Sequence, residues 1–231
     1  MKKKNFEFCF IAAPTVRSKC YLYYMIKNNI LPNQILLLDQ KEQSCDVKKN
    51  DKIDFDPQIS LDKLISLSKS PVIKIKNDLN SRSTIELIKK SLFKYFIFSG
   101  PPGKILTKEF FKIKKKFIHI HGGYLPKYKG STAFYYSILD SGKIGVSSIL
   151  MDEGIDTGAI IKRKNYSVPL GINIDFIYDP FLRANLLVDT ILNYNSLKKK
   201  KIENKKYLNN YYIIHPVLKY FALKKCGLIK G

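Results

Sequence analysis

The chain has 231 residues, of which 45% are hydrophobic, and a formal net charge of +22. This length and apolar content predict a globular protein and exclude a disordered chain. Only four of the 41 basic residues are arginine, whereas nucleic-acid sites favour the arginine fork, so we interpret most of the charge as solvated lysine and the remainder as attraction for an anionic substrate or polyanion.

The first half alternates short β-rich runs with helical patterns. The start "MKKKNFEFCFIAAPT" imitates a signal peptide, but Glu7 interrupts the short apolar stretch, so we interpret it as a first strand. The further elements are helix, strand, helix and strand in the runs "SKCYLYYMIKNN", "QILLLD", "STIELIKKSLF" and "YFIFSG". Residues 41–80 are polar and predict only a helix and an edge strand, "PVIKI". This order indicates βαβ units and a mostly parallel, Rossmann-like α/β sheet with helices on both faces.

The second half continues after "KFIHIHGG" with a helix, "AFYYSILDSG", that Gly142 closes. Two strand candidates follow, "GVSSILMD" and "GAIIKRKNYSV". A helix of about 17 residues begins near Asp175, and Pro180 in its early turn makes Asp179 the candidate N-cap. A composition shift in "SLKKKKIENKKYLNN" places a boundary near Asn195, so residues 1–195 are predicted to form the main domain and residues 196–231 a C-terminal extension that packs on it.

The four cysteines are scattered and form no CxxC pair, so the sequence indicates neither a zinc knuckle nor a disulfide framework. A reducing cytoplasm fits this pattern best. No run reaches the roughly 18 apolar residues that a membrane span requires.

Two loops follow strands in the position where open parallel sheets bind ligands. The first, "SGPPGKIL", is not a GxGxxG motif, and its prolines remove amide donors that a phosphate cradle would use. It suits a flat ligand with polar edges, and a plain turn is the alternative. The second loop is "HGGYLPKYKGS".

Strand alternation places His119 and His121 on the same face, and three interpretations compete for them. They are ordinary surface or core histidines, a metal pair completed by Asp152, Asp156 or His215, or a proton-handling site for acyl transfer. The downstream loop "MDEGIDTGAII" favours the third, because Asp156 lies between two strands where its carboxylate can orient a histidine. The loop lacks the spacing of a calcium site.

Together the two stretches "HIHGGYLPKYKG" and "MDEGIDTGAII" resemble the folate-dependent formyltransferase family, whose members carry N-x-H-x-(S/G)-x-L-P-x-(Y/F)-x-G followed about 30 residues later by a D-x-G-x-D-x-G-like loop. The resemblance covers residues 95–161 well and the N-terminal half in architecture only. It implies that His121 is the catalytic histidine and Asp156 the catalytic aspartate, while His119 replaces the family's asparagine. The implied reaction is attack of a substrate amine on the formyl carbon of 10-formyltetrahydrofolate, without a metal, with His119 as a further oxyanion donor.

The resemblance also implies a folate pocket and an amine site. The pterin would lie between Lys104, Ile105 and Leu106 on one side and the loop of Asp152, Glu153, Gly154 and Ile155 on the other. Candidate substrate contacts are Thr15 and Arg17, for which helix capping is the alternative, and Tyr124, Lys127 and Tyr128 in the loop after the histidines.

The substrate is predicted by elimination. The transfer-RNA enzyme of the family has an added C-terminal β-barrel domain, whereas only about 35 residues follow the last predicted helix here. The purine enzyme has a Gly/Ser-rich phosphate loop where this chain has "AAPTVRSKC". The sequence therefore predicts a cytoplasmic sugar N-formyltransferase that acts on a nucleotide-linked amino sugar for surface polysaccharide. It predicts no binding of nucleic acid, and a homodimer is one option for the oligomeric state. The alternatives are a methionyl-tRNA formyltransferase-like enzyme without the C-terminal domain, a metal-dependent hydrolase using His119 and His121, and a non-catalytic nucleic-acid binder.

Overall fold

The computed structural model describes residues 6–197, 202 and 210–229. A seven-stranded sheet in the order β3-β2-β1-β4-β5-β7-β8 forms its centre. Its strands are β1 (Phe8–Ala12), β2 (Gln34–Leu38), β3 (Val72–Ile75), β4 (Tyr95–Ser99), β5 (Lys116–His121), β7 (Lys143–Leu150) and β8 (Ile160–Ser167). Strands β1 to β5 are parallel, and β7 and β8 are antiparallel to their neighbours. The predicted α/β class with a mostly parallel sheet is confirmed.

Along the chain, the helices connect these strands or follow the last of them. They are α1 (Val16–Lys27), α2 (Leu61–Ser68), α3 (Arg82–Lys90), α4 (Lys108–Phe111), α5 (Ala133–Ser141), α6 (Asp179–Leu197) and α7 (Pro216–Lys225). No helix in the described part of the chain is long and apolar enough to cross a membrane.

The sheet is buried on both faces because apolar side chains alternate across its strands. Phe8 and Phe10 of β1 point into one core with helices α1 and α6, whereas Cys9 and Ile11 point into the opposite core. All four side chains are fully buried. This two-sided burial explains why the strands appear in the sequence as nearly continuous apolar runs.

The order of the strands reverses beside β1. The chain moves outward from β1 through β2 to β3 and then returns to place β4 on the other side of β1. The carboxyl ends of β1 and β4 therefore border a crevice of the kind that binds ligands in open α/β sheets. The next parallel strand, β5, ends in the predicted histidine pair.

The segment of residues 41–80 contains the helix and the edge strand that the sequence predicts, α2 and β3. The predicted N-cap at Asp179 is wrong. A π-helical turn, Ile174–Tyr178, precedes α6 and runs directly into it, so Asp179 is already a helical residue. The cap is Asn173, whose side chain accepts a hydrogen bond from the Phe176 amide at 2.9 Å. The predicted start near Asp175 was therefore closer to the first helical turn.

Two short strands and one helix connect the C-terminal part to the main body. Strand β9 (Asn210–Tyr211) pairs in parallel with β6 (Lys129–Gly130), which follows the histidine loop. Ala222 and Cys226, at the end of α7, are fully buried. Helix α6 extends two residues past the predicted boundary at residue 195. The division into a domain of residues 1–195 and an extension of residues 196–231 stays a prediction, and residues 198–201, 203–209 and 230–231 lie outside the described part.

Candidate active site

The histidine pair lies where β5 ends. Ile118 and Ile120 of this strand point into the main core and are fully buried. Alternation then turns His119 and His121 to the other face, where His121 is 4% exposed and His119 is half-buried. The apolar positions of β5 thus fix the direction of both imidazoles.

His121 contacts acceptors through both of its ring nitrogens. Its Nδ1 lies 3.2 Å from Oδ2 of Asp156, and its Nε2 lies 2.7 Å from the carbonyl oxygen of Tyr128. A neutral imidazole carries a hydrogen on only one nitrogen. The two contacts are therefore satisfied together when His121 is an imidazolium that donates to both oxygens, with the Asp156 carboxylate balancing its charge.

Asp156 is held in place by the main chain around it. It lies in the loop between β7 and β8 with a φ of 53°, a left-handed conformation that aspartate and asparagine tolerate better than most residues. The Gly130 amide of β6 donates a hydrogen bond to its Oδ2 at 2.9 Å. The carboxylate is only 13% exposed, so its interaction with His121 is largely shielded from water.

His119 is oriented by a carbonyl group of the neighbouring strand. Its Nδ1 lies 3.2 Å from the Phe98 carbonyl oxygen, which can only accept a hydrogen bond, so Nδ1 carries the hydrogen and Nε2 keeps a lone pair. Burial, and secondly the positive charge of Arg17, lower the pKa of His119 to about 3. His119 is consequently neutral near pH 7.

The two glycines after His121 have a steric role. A Cβ atom on Gly122 would lie 2.2 Å from Nη2 of Arg183, and one on Gly123 would lie 2.6 Å from Nε2 of His121. Neither position has room for a larger side chain. The "HGG" sequence therefore brings the main chain against the His121 imidazole and a buried guanidinium.

That guanidinium belongs to a buried ion pair that the sequence analysis missed. Nε of Arg183 donates to Oδ1 of Asp179 at 2.8 Å, and Nη1 donates to the carbonyl oxygen of Ile120, between the two histidines, at 3.0 Å. Both side chains of the pair are about one-tenth exposed. The available signal was an arginine four residues after an aspartate on one helix, in a chain with only four arginines.

Thr15 and Arg17 border the crevice between β1 and β4. Thr15 is the N-cap of α1, with its side chain accepting a hydrogen bond from the Ser18 amide at 3.3 Å, so the capping alternative is observed. Arg17 donates to the Ser99 hydroxyl and to the Gly100 carbonyl at the end of β4. The charge of Arg17 acts on His119, which places it beside the candidate catalytic residues.

Tyr124 and Lys127 have partners elsewhere in the fold. The Arg163 guanidinium stacks on the Tyr124 ring, 4.5 Å from its centroid. Lys127 is bound to Asp140 of α5 at 2.6 Å, and this hydrogen bond raises the pKa of the lysine. Both side chains thus have partners other than His121.

The predicted folate residues 104–106 lie beside a shallow cleft. This cleft is lined by Leu38, residues 77–80, Pro101 and residues 104–106. Leu106 is buried, whereas Ile105 is 68% exposed. Asn80 occupies part of the main-chain edge, since its amide donates to the Ile105 carbonyl at 3.0 Å and accepts from the Thr107 amide at 2.9 Å. None of His119, His121 and Asp156 lines the cleft.

The acidic loop of residues 152–155 is exposed and folded by its own side chains. Asp152 accepts hydrogen bonds from the Thr157 hydroxyl at 2.6 Å and from the Gly154 amide at 3.2 Å. Glu153 lies 4.0 Å from Nζ of Lys108 on α4, and Ile155 is 47% exposed. The loop leads directly into Asp156, so its folding helps to set the position of that carboxylate.

Comparison with known proteins connects this geometry to a family. Residues 81–184 match the formyl transferase family model. The chain is 35% identical over 127 residues to the methionyl-tRNA formyltransferase of Campylobacter lari, a match covering 54% of this chain and 40% of that protein. The chain therefore spans about two fifths of this relative's length.

Solved structures share the fold at low sequence identity. A sugar N-formyltransferase from a Shewanella species superimposes with a TM-score of 0.58 at 16% identity, covering 96% of this chain and 88% of that chain. The N-formyltransferase of Helicobacter canadensis, determined with folinic acid and dTDP-3-aminofucose, gives a TM-score of 0.57 at 19% identity, covering 90% and 71%. The resemblance to the folate-dependent formyltransferase family is confirmed.

Proposed function

We propose that this chain, whose residues 81–184 match the formyl transferase family model, transfers a formyl group from 10-formyltetrahydrofolate to a primary amine. The observation that carries the proposal is the contact of His121 with Asp156 at 3.2 Å. Both residues lie within the matched segment, at the end of the sheet where α/β proteins bind ligands.

The proposed reaction has two bond changes. The amine nitrogen forms a bond with the formyl carbon, giving a tetrahedral intermediate with a negative oxygen, and the bond from that carbon to N10 of the folate then breaks. One proton leaves the amine and one reaches N10, so the products are the formamide and tetrahydrofolate. The site must therefore stabilise a transient oxyanion and relay a proton.

His121 and Asp156 are suited to the first requirement. An imidazolium placed beside the formyl oxygen stabilises the oxyanion, and the contact with the Asp156 carboxylate orients the ring. The Nε2 hydrogen now donated to the Tyr128 carbonyl at 2.7 Å is the one that would turn toward the oxyanion. The low exposure of both side chains strengthens these interactions relative to water.

His119 takes a different role from the oxyanion donor that the resemblance implies. Its Nδ1 hydrogen is directed at the Phe98 carbonyl, so its available nitrogen, Nε2, is an acceptor. We assign to Nε2 the acceptance of a hydrogen bond from the attacking amine. This role orients the nucleophile, and the family's asparagine can supply it through its amide oxygen.

The co-substrate is proposed to bind between the two loops named above, residues 104–106 and 152–155. The Helicobacter canadensis structure, which shares the fold, contains folinic acid, a folate derivative. In this chain Lys104, Ile105 and residues 152–155 are exposed, and main-chain groups of such loops can bind the polar edge of a flat ring without specific side chains.

For the amine we propose a nucleotide-linked amino sugar. Support comes from the Helicobacter canadensis structure, whose bound molecules include dTDP-3-aminofucose, and from the positive charge of this chain, which favours a phosphate-bearing substrate. Methionyl-tRNA is the second candidate, because the relative from Campylobacter lari carries that name and transfer RNA is also a polyanion.

The test is a transfer assay with alternative amines. The protein, freed of metal with a chelator, is incubated with 10-formyltetrahydrofolate and either a panel of amino-sugar nucleotides or methionyl-tRNA, and the products are examined by mass spectrometry. We expect one amino-sugar nucleotide to gain the mass of one formyl group. Formylation of methionyl-tRNA alone would replace the proposed substrate, and no formylation of either class would contradict the proposed activity.

A further inference from the structure

We propose that His119, His121 and Asp156 form a binding site for one zinc ion, separate from any requirement of the transfer reaction. One donor atom from each residue lies within 4.8 Å of the donor atoms of the other two. Zinc binds imidazole nitrogen and carboxylate oxygen at about 2.0–2.2 Å, so donors around one ion lie roughly 3.5 Å apart. Nδ1 of His121 and Oδ2 of Asp156, which are 3.2 Å apart, are already close to that separation.

The hydrogen bonds around the three residues are those that zinc ligands require. A ligating histidine usually donates its other ring N–H to a carbonyl or carboxylate. His119 does so through Nδ1 to the Phe98 carbonyl at 3.2 Å, and His121 through Nε2 to the Tyr128 carbonyl at 2.7 Å. These bonds fix the rings and leave Nε2 of His119 and Nδ1 of His121 as the coordinating nitrogens.

The third ligand, Asp156, is supported in the same way. Its Oδ2 accepts a hydrogen bond from the Gly130 amide at 2.9 Å and lies 3.2 Å from Nδ1 of His121. With Nε2–H directed at Tyr128, Nδ1 of His121 faces the carboxylate, so a zinc ion can be bound by this nitrogen and by Asp156 together.

Zinc bound in this way would suppress formyl transfer, an effect that rests on the proposed function. It would occupy the His119 nitrogen assigned to the amine, and it would interrupt the contact between Nδ1 of His121 and Oδ2 of Asp156 on which the proposed function depends. Three protein ligands also leave one coordination position for water, on the side of the ion facing away from the protein ligands.

The first experiment titrates metal-free protein with zinc chloride in a calorimeter. We expect one equivalent to bind the wild-type protein and His119→Asn to weaken the affinity by at least about tenfold, because an amide offers no imidazole nitrogen. The matched control is His215→Asn. His215 is exposed and caps α7 by accepting from the Val217 amide, a role that asparagine also fills.

The outcomes separate a built site from general histidine binding. Unchanged affinity in His215→Asn together with weaker affinity in His119→Asn supports the site, provided that circular dichroism shows both variants folded. A substituted cobalt ion should give a visible absorption band in the wild-type protein and in His215→Asn but not in His119→Asn. No binding to the wild-type protein, equal binding by His119→Asn, or loss of binding in His215→Asn would overturn the proposal.

The second experiment separates the zinc site from the proposed function. Transfer is measured in the presence of chelator and again after one equivalent of zinc is added. Loss of transfer that a chelator reverses supports the blocking effect, and unchanged transfer with zinc bound overturns it. Absence of transfer in the metal-free protein would count against the proposed function, while the calorimetric result would still decide whether zinc binds.

Discussion

Replacement of Asp156 by asparagine tests the central contact of the candidate site. Asparagine retains an acceptor oxygen for the Gly130 amide and tolerates the φ of 53° found at this position. The substitution therefore removes the carboxylate charge with little change in the shape of the loop. Its effect on transfer should reflect electrostatics and proton relay, and its effect on folding should be small.

The size of the effect follows from the separation of the two groups. Unit charges 3.2 Å apart, the distance from Nδ1 of His121 to Oδ2 of Asp156, interact by about 5 kcal/mol at an effective dielectric constant of about 20. Proton-transfer groups contribute about 10²- to 10⁴-fold to rates, or about 2.7 to 5.4 kcal/mol, and the Coulomb energy lies within this range. We expect Asp156→Asn to slow formyl transfer by that factor.

The assay is single-turnover transfer from 10-formyltetrahydrofolate, followed by mass spectrometry with chelator present. The matched control is Asp189→Asn, which removes a carboxylate bound to Lys162, between β8 and α6. The control should keep the wild-type rate, and both variants should unfold in urea within about 2 kcal/mol of the wild-type protein. A rate above about one tenth of wild type for Asp156→Asn would refute the proposed role, since the loss would then be smaller than about 1.4 kcal/mol.

Three further predictions concern the stability of the fold and the reactivity of its thiols. Arg183→Met should lower the free energy of unfolding in urea by about 3–5 kcal/mol, because it leaves the buried Asp179 carboxylate unpaired. Combining it with Asp179→Leu should restore part of the lost stability. Additive effects of the two substitutions would contradict a role for the ion pair. Gly130→Ala should lower the free energy of unfolding by about 1–3 kcal/mol, since this position combines a φ of 94° with a Cβ position only 2.1 Å from a carbonyl oxygen. The control is Gly142→Ala, where φ is also positive but no atom lies within 4 Å of the Cβ position. An equal loss of stability in both variants would show that crowding at Gly130 is irrelevant. Iodoacetamide at pH 8 should modify half-buried Cys45 first, as mapped by peptide mass spectrometry. Burial raises the pKa of the Cys9, Cys20 and Cys226 thiols, so their reactive thiolate fraction increases only at higher pH. Rapid modification of any of these three buried cysteines would contradict the prediction.

The strands of the main sheet could be predicted because burial leaves a direct record in composition. Apolar side chains on both faces of β1 and β4 give uninterrupted hydrophobic runs. The two-residue strands β6 and β9 have no such record, since a hydrogen-bonded pair of that length needs no periodic pattern. Their pairing depends on a contact between distant parts of the chain, which one sequence does not reveal.

The candidate site was predictable to the extent that it depends on local spacing. Strand alternation placed both histidines on one face, and the loop between two predicted strands indicated that the Asp156 carboxylate can orient a histidine. The buried Arg183 was not predicted, because an arginine four residues after an aspartate usually forms an exposed pair on a helix. Only the packing of α6 against the sheet shows that this pair is buried beside Ile120.

The partners of Tyr124 and Lys127 also depend on tertiary structure. Arg163 on β8 and Asp140 on α5 approach them only after β7, β8 and α5 have packed together. A motif-based assignment to a substrate site had no means of including these competing contacts. Both assignments stay predictions, and each requires the side chain to leave its present partner or to act through its exposed part.

The hydrogen bond from Gly130 to Asp156 also provides a spectroscopic probe. The same glycine pairs through β6 with β9, so its amide signal in an NMR spectrum would respond both to the charge on Asp156 and to the docking of residues 210–211. A shift of this signal on adding zinc or folate would report on the carboxylate directly. The same Gly130 amide signal would thus report both on the proposed active site and on the docking of residues 210–211, which lie far from it in sequence.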